Sequence, residues 1–294
     1  MQWQELIADL ARELDGLSEF TAATPVAGGD INAAFMIECG AQRFFVKLNS
    51  TDKLPMFEQE AQMLEQVNEC CPLRVPRPFT TGVAASNAYI VMEHLNLAPL
   101  NETNATELGE GLAVLHQSTA DHYGWDQAGY IGSTRQPNEN SRNWCEFWQH
   151  QRLGFQQKLA IRNGLQPHVA TRLELLTESL PDLIGNHHPV AALLHGDLWH
   201  GNCGLDETGR AVLFDPACYY GDPEADLALT ELFGGFTERF YQAYWHIHPR
   251  AAEYEVRSQL YQLYHVLNHF NIFGGLYGNR AGTMVELLLA EIGH

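Results

Sequence analysis

An α+β fold in two lobes, a small strand-rich one followed by a larger, mainly helical one, is predicted by three observations. Apolar segments of strand length, separated by short turns, fill most of the chain up to Met92. Beyond Glu102 the apolar positions recur instead at three- and four-residue steps, the helical period. Within that second part, His195-Gly196-Asp197-Leu198-Trp199-His200-Gly201-Asn202 and then Val212-Leu213-Phe214-Asp215 set His, Asp and Asn at H-x-D-x-x-x-x-N, with a second carboxylate closing an apolar run. A short crossing near Glu93 to Pro99 divides the chain into 1–95 and 96–294.

The 294 residues suit two lobes, and a hydrophobic content of 45% fills a sizeable core. Seventeen Lys+Arg against thirty-six Asp+Glu give a formal charge of −19, which opposes a broad grip on nucleic acid or an anionic membrane surface. Any phosphate-bearing ligand would therefore have to be held by a few local donors. The six cysteines show no metal-ligand spacing, the first residues lack the regions of a signal peptide, and no apolar run is long enough to span a bilayer. A reduced, cytoplasmic enzyme is expected.

Taking the elements in order, Trp3, Leu6, Ile7, Leu10 and Leu14 mark a helix that stops at Asp15-Gly16. Gly28-Gly29-Asp30-Ile31-Asn32 lies between strand-like segments, the second being Ala34 to Cys39, and its glycines let backbone N–H groups approach phosphate oxygens. Gly40-Ala41-Gln42 turns the chain into Arg43 to Leu48, where Lys47 is set among large apolar residues and needs a partner. The helix Met56 to Val67 supplies one. Phe57, Ala61, Leu64 and Val67 define its apolar face, Glu60 falls within that face, and Glu58, Gln59, Gln62, Glu65 and Gln66 fall outside it. An inward carboxylate is costly unless paired, so Lys47 with Glu60 is expected as an ion pair. Strands at Phe79 to Val83 and Ala88 to Met92 lead into Met92-Glu93-His94-Leu95, the short crossing between the two parts.

In the second part, helices are expected over Ala105 to Gln117, Trp144 to Leu159 as one long helix closed by Asn163-Gly164, and His168 to Leu183. Further helices follow at Ala225 to Phe233, Thr237 to His246, Ala252 to Phe273 and Thr283 to Ile292. Val190 to Leu194 and Arg210 to Phe214 read as strands, and the Glu207-Thr208-Gly209 turn returns Asn202 and Asp215 to one end of a hairpin. The spacing is that of a kinase catalytic loop with its metal-holding aspartate. Phosphoryl transfer to a hydroxyl needs a carboxylate beside the acceptor and oxygen ligands for Mg²⁺, roles that Asp197, and Asn202 with Asp215, can fill. His265 and His269 lie one helical turn apart, but no third metal ligand accompanies them.

The chain resembles the fructosamine (ketosamine) 3-kinases, a family of the kinase-like superfamily that includes aminoglycoside and choline phosphotransferases. The resemblance rests on His195 to Asn202 with its Leu-Trp, Phe214-Asp215-Pro216-Ala217 with Tyr220-Gly221-Asp222, and Met56 to Glu60. Val91 to Leu95, Gly124-Trp125, Ile131-Gly132 and Trp144 to Leu153 add to it. It implies ATP and Mg²⁺, and phosphorylation of the third-carbon hydroxyl of a small-molecule or protein-bound ketosamine, in repair of glycation. By the same resemblance Asp197 is the catalytic base, Asn202 and Asp215 hold the metal, and Lys47, supported by Glu60, meets the phosphates. Gly28, Gly29, Asn32, Met92, Glu93 and Leu95 surround the nucleotide, Asp226 props the catalytic loop, and His195 and Trp199 support the sugar site.

Gly196 replaces the arginine with which protein kinases sense a phosphorylated loop, and Pro216-Ala217 replaces Phe-Gly, so phosphorylation control is not expected. Asp30 stands where some relatives carry cysteine. Asp222 and Glu224 are expected to place negative charge near the cleft for a cationic substrate. The alternatives are a phosphotransferase for an aminoglycoside, choline or homoserine, and a non-catalytic binding module. Intact Lys47, Asp197, Asn202 and Asp215 argue against the module.

Overall fold

The structure, a computed structural model, describes residues 2–27 and 31–294. The chain forms two compact units, and they do not follow a single cut in the sequence: one comprises Met1–Leu108 with Asn202–Pro216, the other Gly109–Gly201 with Ala217–His294.

The first unit is built on a five-stranded antiparallel sheet in the order β1-β2-β3-β5-β4, with β1 Phe20–Pro25, β2 Ala33–Cys39, β3 Gln42–Ser50, β4 Pro78–Ala84 and β5 Asn87–Glu93. Side chains alternate between faces along a strand. Phe44, Val46 and Leu48 of β3 therefore share one face, where they join Leu6 and Leu10 of the helix α1 (Gln2–Glu13) in a buried cluster. Fully burying a leucine stabilises by about 1.5–3 kcal/mol, so the stripe Trp3, Leu6, Ile7 and Leu10 suffices to fix α1. Lys47 points to the opposite face and meets α2 (Leu54–Cys70), which has Pro55 in its first turn. The buried face of α2 is wider than the expected stripe: Met56, Gln59 and Met63 are buried with Phe57, Glu60, Leu64 and Val67, whereas Ala61 is only half-buried.

The second unit holds a helical core. The helix α3 (Glu102–Leu115) ends in it, and the short strands β6 Thr119–Ala120, β7 Gly129–Ile131 and β8 Thr134–Gln136 follow. The long helix expected from Trp144 is interrupted. α4 (Trp144–Phe147) passes into a π-helical turn, Trp148–Leu153, before α5 (Gly154–Arg162). Gly154 donates its N–H five residues back to Gln149 O, and a Cβ at 154 would lie 2.4 Å from that oxygen, so the wide turn needs glycine there. It seats Arg152, fully buried, with its guanidinium 3.9 Å from the centre of the Tyr219 ring. The helix expected over His168 to Leu183 is likewise two, α6 (Pro167–Glu178) and α7 (Leu180–Ile184), with Pro181 opening the second.

Strand β9 (Ala191–Leu193) pairs with β6 and β12 (Tyr220–Gly221). The hairpin β10 (Cys203–Leu205) and β11 (Ala211–Leu213) belongs to the first unit. The helices α8 (Pro223–Leu232), α9 (Glu238–Ile247), α10 (Tyr254–Phe273) and α11 (Tyr277–Glu291) complete the second, and α10 packs on α8 and α11. No helix among the described residues is long and apolar enough to cross a membrane.

Candidate active site

The first unit brings Lys47, Glu60 and Asp215 together. Lys47 Nζ is 2.5 Å from Glu60 Oε1 and 2.5 Å from Asp215 Oδ1, with both Lys47 and Glu60 buried. The two carboxylates more than offset the effect of burial on the ammonium, so the Lys47 pKa lies above its ordinary value. Burial pushes the Glu60 carboxyl up; Lys47 opposes that push and Asp215 adds to it. Asp215 has a φ of 56°, the left-handed region in which a non-glycine residue is uncommon. Its side chain is 41% exposed, the open member of the trio.

The hairpin places Asn202 beside the same end. Cys203 pairs with Leu213, and Phe214 N–H donates to Asn202 O at 3.1 Å, so Asn202 and Asp215 flank the open end of β10–β11. A carboxylate and an amide are hard oxygen donors of the kind Mg²⁺ prefers, so this pair fits the metal that phosphoryl transfer requires. The hairpin is fastened within the unit by main-chain bonds: Leu213 N–H to Arg74 O at 2.9 Å, and Ala98 and Leu205 exchanging bonds at 2.9 and 2.8 Å. At its turn, Asp206 is buried and accepts from Thr208, Arg210 and Arg74. The Thr208 hydroxyl and the neighbouring N–H groups hold its carboxyl well below the usual range.

Met92 is buried at the end of β5, and Glu93 N–H donates to Arg77 O at 2.8 Å. The Glu93 side chain is not idle: Oε1 lies 2.5 Å from Arg74 Nη2. Leu95 is half-buried. Asn32 accepts from Asn49 Nδ2 at 2.7 Å. Gly28, Gly29 and Asp30 lie outside the described residues.

His195, Asp197, Trp199 and Asp226 belong to the second unit. Asp226, on α8, accepts His195 N–H at 2.7 Å and Gly196 N–H at 2.8 Å. Its pKa is lowered although burial works the other way, because His116 and these backbone donors favour the carboxylate. Asp197 N–H donates to Nδ1 of fully buried His195 at 3.3 Å, which puts the ring proton on Nε2. Gly196 has a φ of +81°, and a Cβ there would lie 2.1 Å from Ala217 O, so no arginine fits. Leu198 is core, whereas Asp197 and Trp199 are half-buried. The Trp199 indole lies so close over Gly201 that a Cβ at 201 would come within 2.4 Å of it, and it meets the Phe233 ring edge-on at 5.8 Å.

Asp222 and Glu224 do not offer the open charge expected of them. Asp222 is 1% exposed, caps α8, and bonds to His187 and the Tyr261 hydroxyl at 2.6 Å each; Glu224 is paired with Arg257 at 2.6 Å. These same contacts occupy the one His/Asp/Glu group close enough for a cation among the described residues, His187, Asp222 and Glu224. His265 is buried and its pKa is pushed down to about 3, chiefly by burial, while His269 spends Nδ1 on His265 O. Four supporting residues escape a reading of the sequence: Arg74, Asp206, His116 and Tyr244. Of these only His116 carries a signal, as a polar residue one turn after Leu112, just past the end of α3; it links Tyr244 OH at 2.7 Å to Asp226 at 3.2 Å.

Comparison with known proteins identifies the family of the chain. The profile of the fructosamine kinase family matches residues 2–291. A probable ketoamine kinase of Vibrio parahaemolyticus is 39% identical over 290 residues, covering 98% of this chain and 99% of that protein. The chloroplastic protein-ribulosamine 3-kinase of Arabidopsis thaliana is 39% identical over 272 residues, 92% of this chain and 83% of that one. Among solved structures, a candidate fructosamine-3-kinase from Haemophilus somnus superposes with a TM-score of 0.92 at 28% identity, covering 98% of each chain. An aminoglycoside phosphotransferase solved with ADP and hygromycin B shares the kinase-like fold, with a TM-score of 0.65 at 16% identity over 99% of this chain and 98% of that one. With a family profile spanning almost every residue and relatives near 40% identity along their full length, the chain belongs to the fructosamine kinase family.

Proposed function

We propose that this protein is an ATP- and Mg²⁺-dependent ketosamine 3-kinase, transferring a phosphoryl group to the third-carbon hydroxyl of ribulosamines and fructosamines. The observation that carries the reading is the full-length match to relatives named ketoamine and ribulosamine kinases, in a chain that keeps Lys47, Glu60, Asn202 and Asp215 grouped in one unit. Lys47, oriented by Glu60, holds nucleotide phosphate oxygens, and Asn202 with Asp215 would hold the metal. When bound, Mg²⁺ neutralises charge on the transferring phosphate. Glu93 and Leu95 meet the base through main-chain atoms, and Gly28, Gly29, Asn32 and Met92 enclose the nucleotide.

Asp197 takes the proton of the acceptor hydroxyl as that oxygen bonds to phosphorus and ADP leaves. His195 fixes the loop main chain at Asp197, Asp226 anchors the loop through two backbone N–H groups, and Trp199 lines the sugar site. The phosphorylated ketosamine then releases its amine, which makes the reaction a repair of glycation. All six cysteines are free thiols, which suits a reducing compartment such as the cytoplasm.

An ADP-release assay on ribulosyl-lysine, fructosyl-lysine, kanamycin, choline and homoserine tests the substrate class. Turnover is expected on the two ketosamines and little on the others. Asp197→Asn should lower ketosamine turnover about 10²- to 10⁴-fold with nucleotide affinity nearly unchanged. Robust use of kanamycin with silence on both ketosamines would discard the substrate assignment and leave phosphoryl transfer standing.

A further inference from the structure

We propose that Arg74 is a positioning residue that fixes the metal-holding hairpin to the end of strand β5 that meets the nucleotide base. The inference rests on the reading of Asn202 and Asp215 as metal ligands. Arg74 lies between α2 and β4, and its main chain bridges to β11, donating to Ala211 O at 3.3 Å and accepting from Leu213 N–H at 2.9 Å. Its guanidinium spans two carboxylates: Nη2 is 2.5 Å from Glu93 Oε1, and Nη1 is 3.3 Å from Asp206 Oδ2. Glu93 closes β5; Asp206 opens the hairpin turn. One side chain thus joins the base-reading connector to the tip of the element that carries Asn202 and Asp215 at its other end.

Charge neutralisation of Asp206 does not explain Arg74, because Arg210 already lies 3.1 Å from the same carboxylate oxygen and Asp206 accepts three further bonds from Thr208 and the Arg210 N–H. What Arg74 adds is the link to Glu93. A strand of three residues spans about 10 Å, so a tilt of about 10° at the turn displaces the far end by nearly 2 Å. Mg²⁺ demands near-ideal octahedral geometry with ligands at about 2.0–2.1 Å, so even a fraction of such a displacement weakens the ligand set. The planar fork of arginine presents Nη1 and Nη2 to two carboxylates at a fixed spacing, which the single ammonium of lysine does not reproduce. Both partners are partly exposed, at 25% for Arg74 and 33% for Glu93, so the link contributes geometry more than stability.

The test uses Arg74→Ala, Arg74→Lys and Glu93→Gln in the full-length chain. Three quantities are measured: the Mg²⁺ concentration that half-saturates nucleotide binding, amide exchange over 203–215 without nucleotide, and the melting temperature. Arg74→Ala is expected to raise half-saturating Mg²⁺ about twofold to fivefold, the range of a partly exposed ion pair, and to speed exchange in the hairpin but not in α2. Arg74→Lys should recover less than half of the effect, and Glu93→Gln should reproduce most of it. Should Arg74→Ala fail to fold, Glu93→Gln carries the same readouts. A lowered melting temperature with unchanged Mg²⁺ dependence and unchanged hairpin exchange would overturn the proposal. Asp215→Asn separates the two levels: if that variant leaves Mg²⁺ dependence intact, the metal assignment has failed, whereas a response there with none in Arg74→Ala condemns the clamp alone.

Discussion

The two units hold their key carboxylates by opposite means. In the first, Glu60 and Asp215 share one ammonium, Lys47. In the second, Asp226 is held by two backbone N–H groups and by His116, itself bonded to Tyr244. An ion pair made by a flexible lysine can exchange one oxygen for another, including a phosphate oxygen. A carboxylate bonded to main chain fixes the loop that supplies its donors. The contrast separates a device built to release and regrip from one built to stay still.

That contrast is broken most sharply at Asp226. Asp226→Ala leaves two buried N–H groups and one histidine nitrogen without their acceptor, and should cost about 3 kcal/mol of stability. Urea unfolding measures it, and a loss below about 1 kcal/mol would show that the loop does not depend on this anchor.

A smaller effect is expected from pH. His265, neutral in the fold with its pKa near 3, must remain unprotonated there while the unfolded chain takes up a proton below about 6.5. The folded pKa is depressed, so the stabilisation is complete above 6.5 and is lost progressively as pH falls toward about 3. Between pH 7 and pH 5 this residue alone should remove up to about 2 kcal/mol. His265→Gln should flatten that slope, and an unchanged slope would reassign the acid sensitivity.

The smallest effect, and the one that sharpens the comparison, is the coupling between Lys47 and Glu60. Lys47→Met and Glu60→Gln should each impair activity, and the double variant should cost about 1 kcal/mol less than their sum. Strict additivity in a double-mutant cycle would mean that Glu60 does not orient the lysine.

What the sequence shows directly is what short-range spacing can encode. The H-x-D-x-x-x-x-N run and the strand before Asp215 forecast the hairpin, and the three- and four-residue steps of α2 put Glu60 inward opposite a strand lysine. The failures share a cause in distance along the chain. Arg74 finds Glu93 nineteen residues away and Asp206 one hundred and thirty-two away, and no local pattern announces such pairs. Asp222 and Glu224 look like surface acids until His187, Tyr261 and Arg257 are brought to them. Gln59 is buried because α2 lies against both β4 and β5, a wider footprint than one stripe. The π turn reflects the burial of Arg152 against the rings of Tyr219 and Tyr264 from distant segments, which helical periodicity cannot foretell.

The closeness of Gly201 to the Trp199 indole bears on how such an enzyme changes its diet. The tryptophan is the obvious place to look for altered substrate preference, yet its ring rests on a residue with no side chain. One methyl group added at 201 would lift the indole while leaving every polar group of the loop in the sequence. On the proposed reading, in which Trp199 lines the sugar site, selection for bulkier or slimmer sugars can therefore act two positions downstream of it. In a family aligned by its tryptophan, the residue beneath it is where a shift in appetite would be recorded.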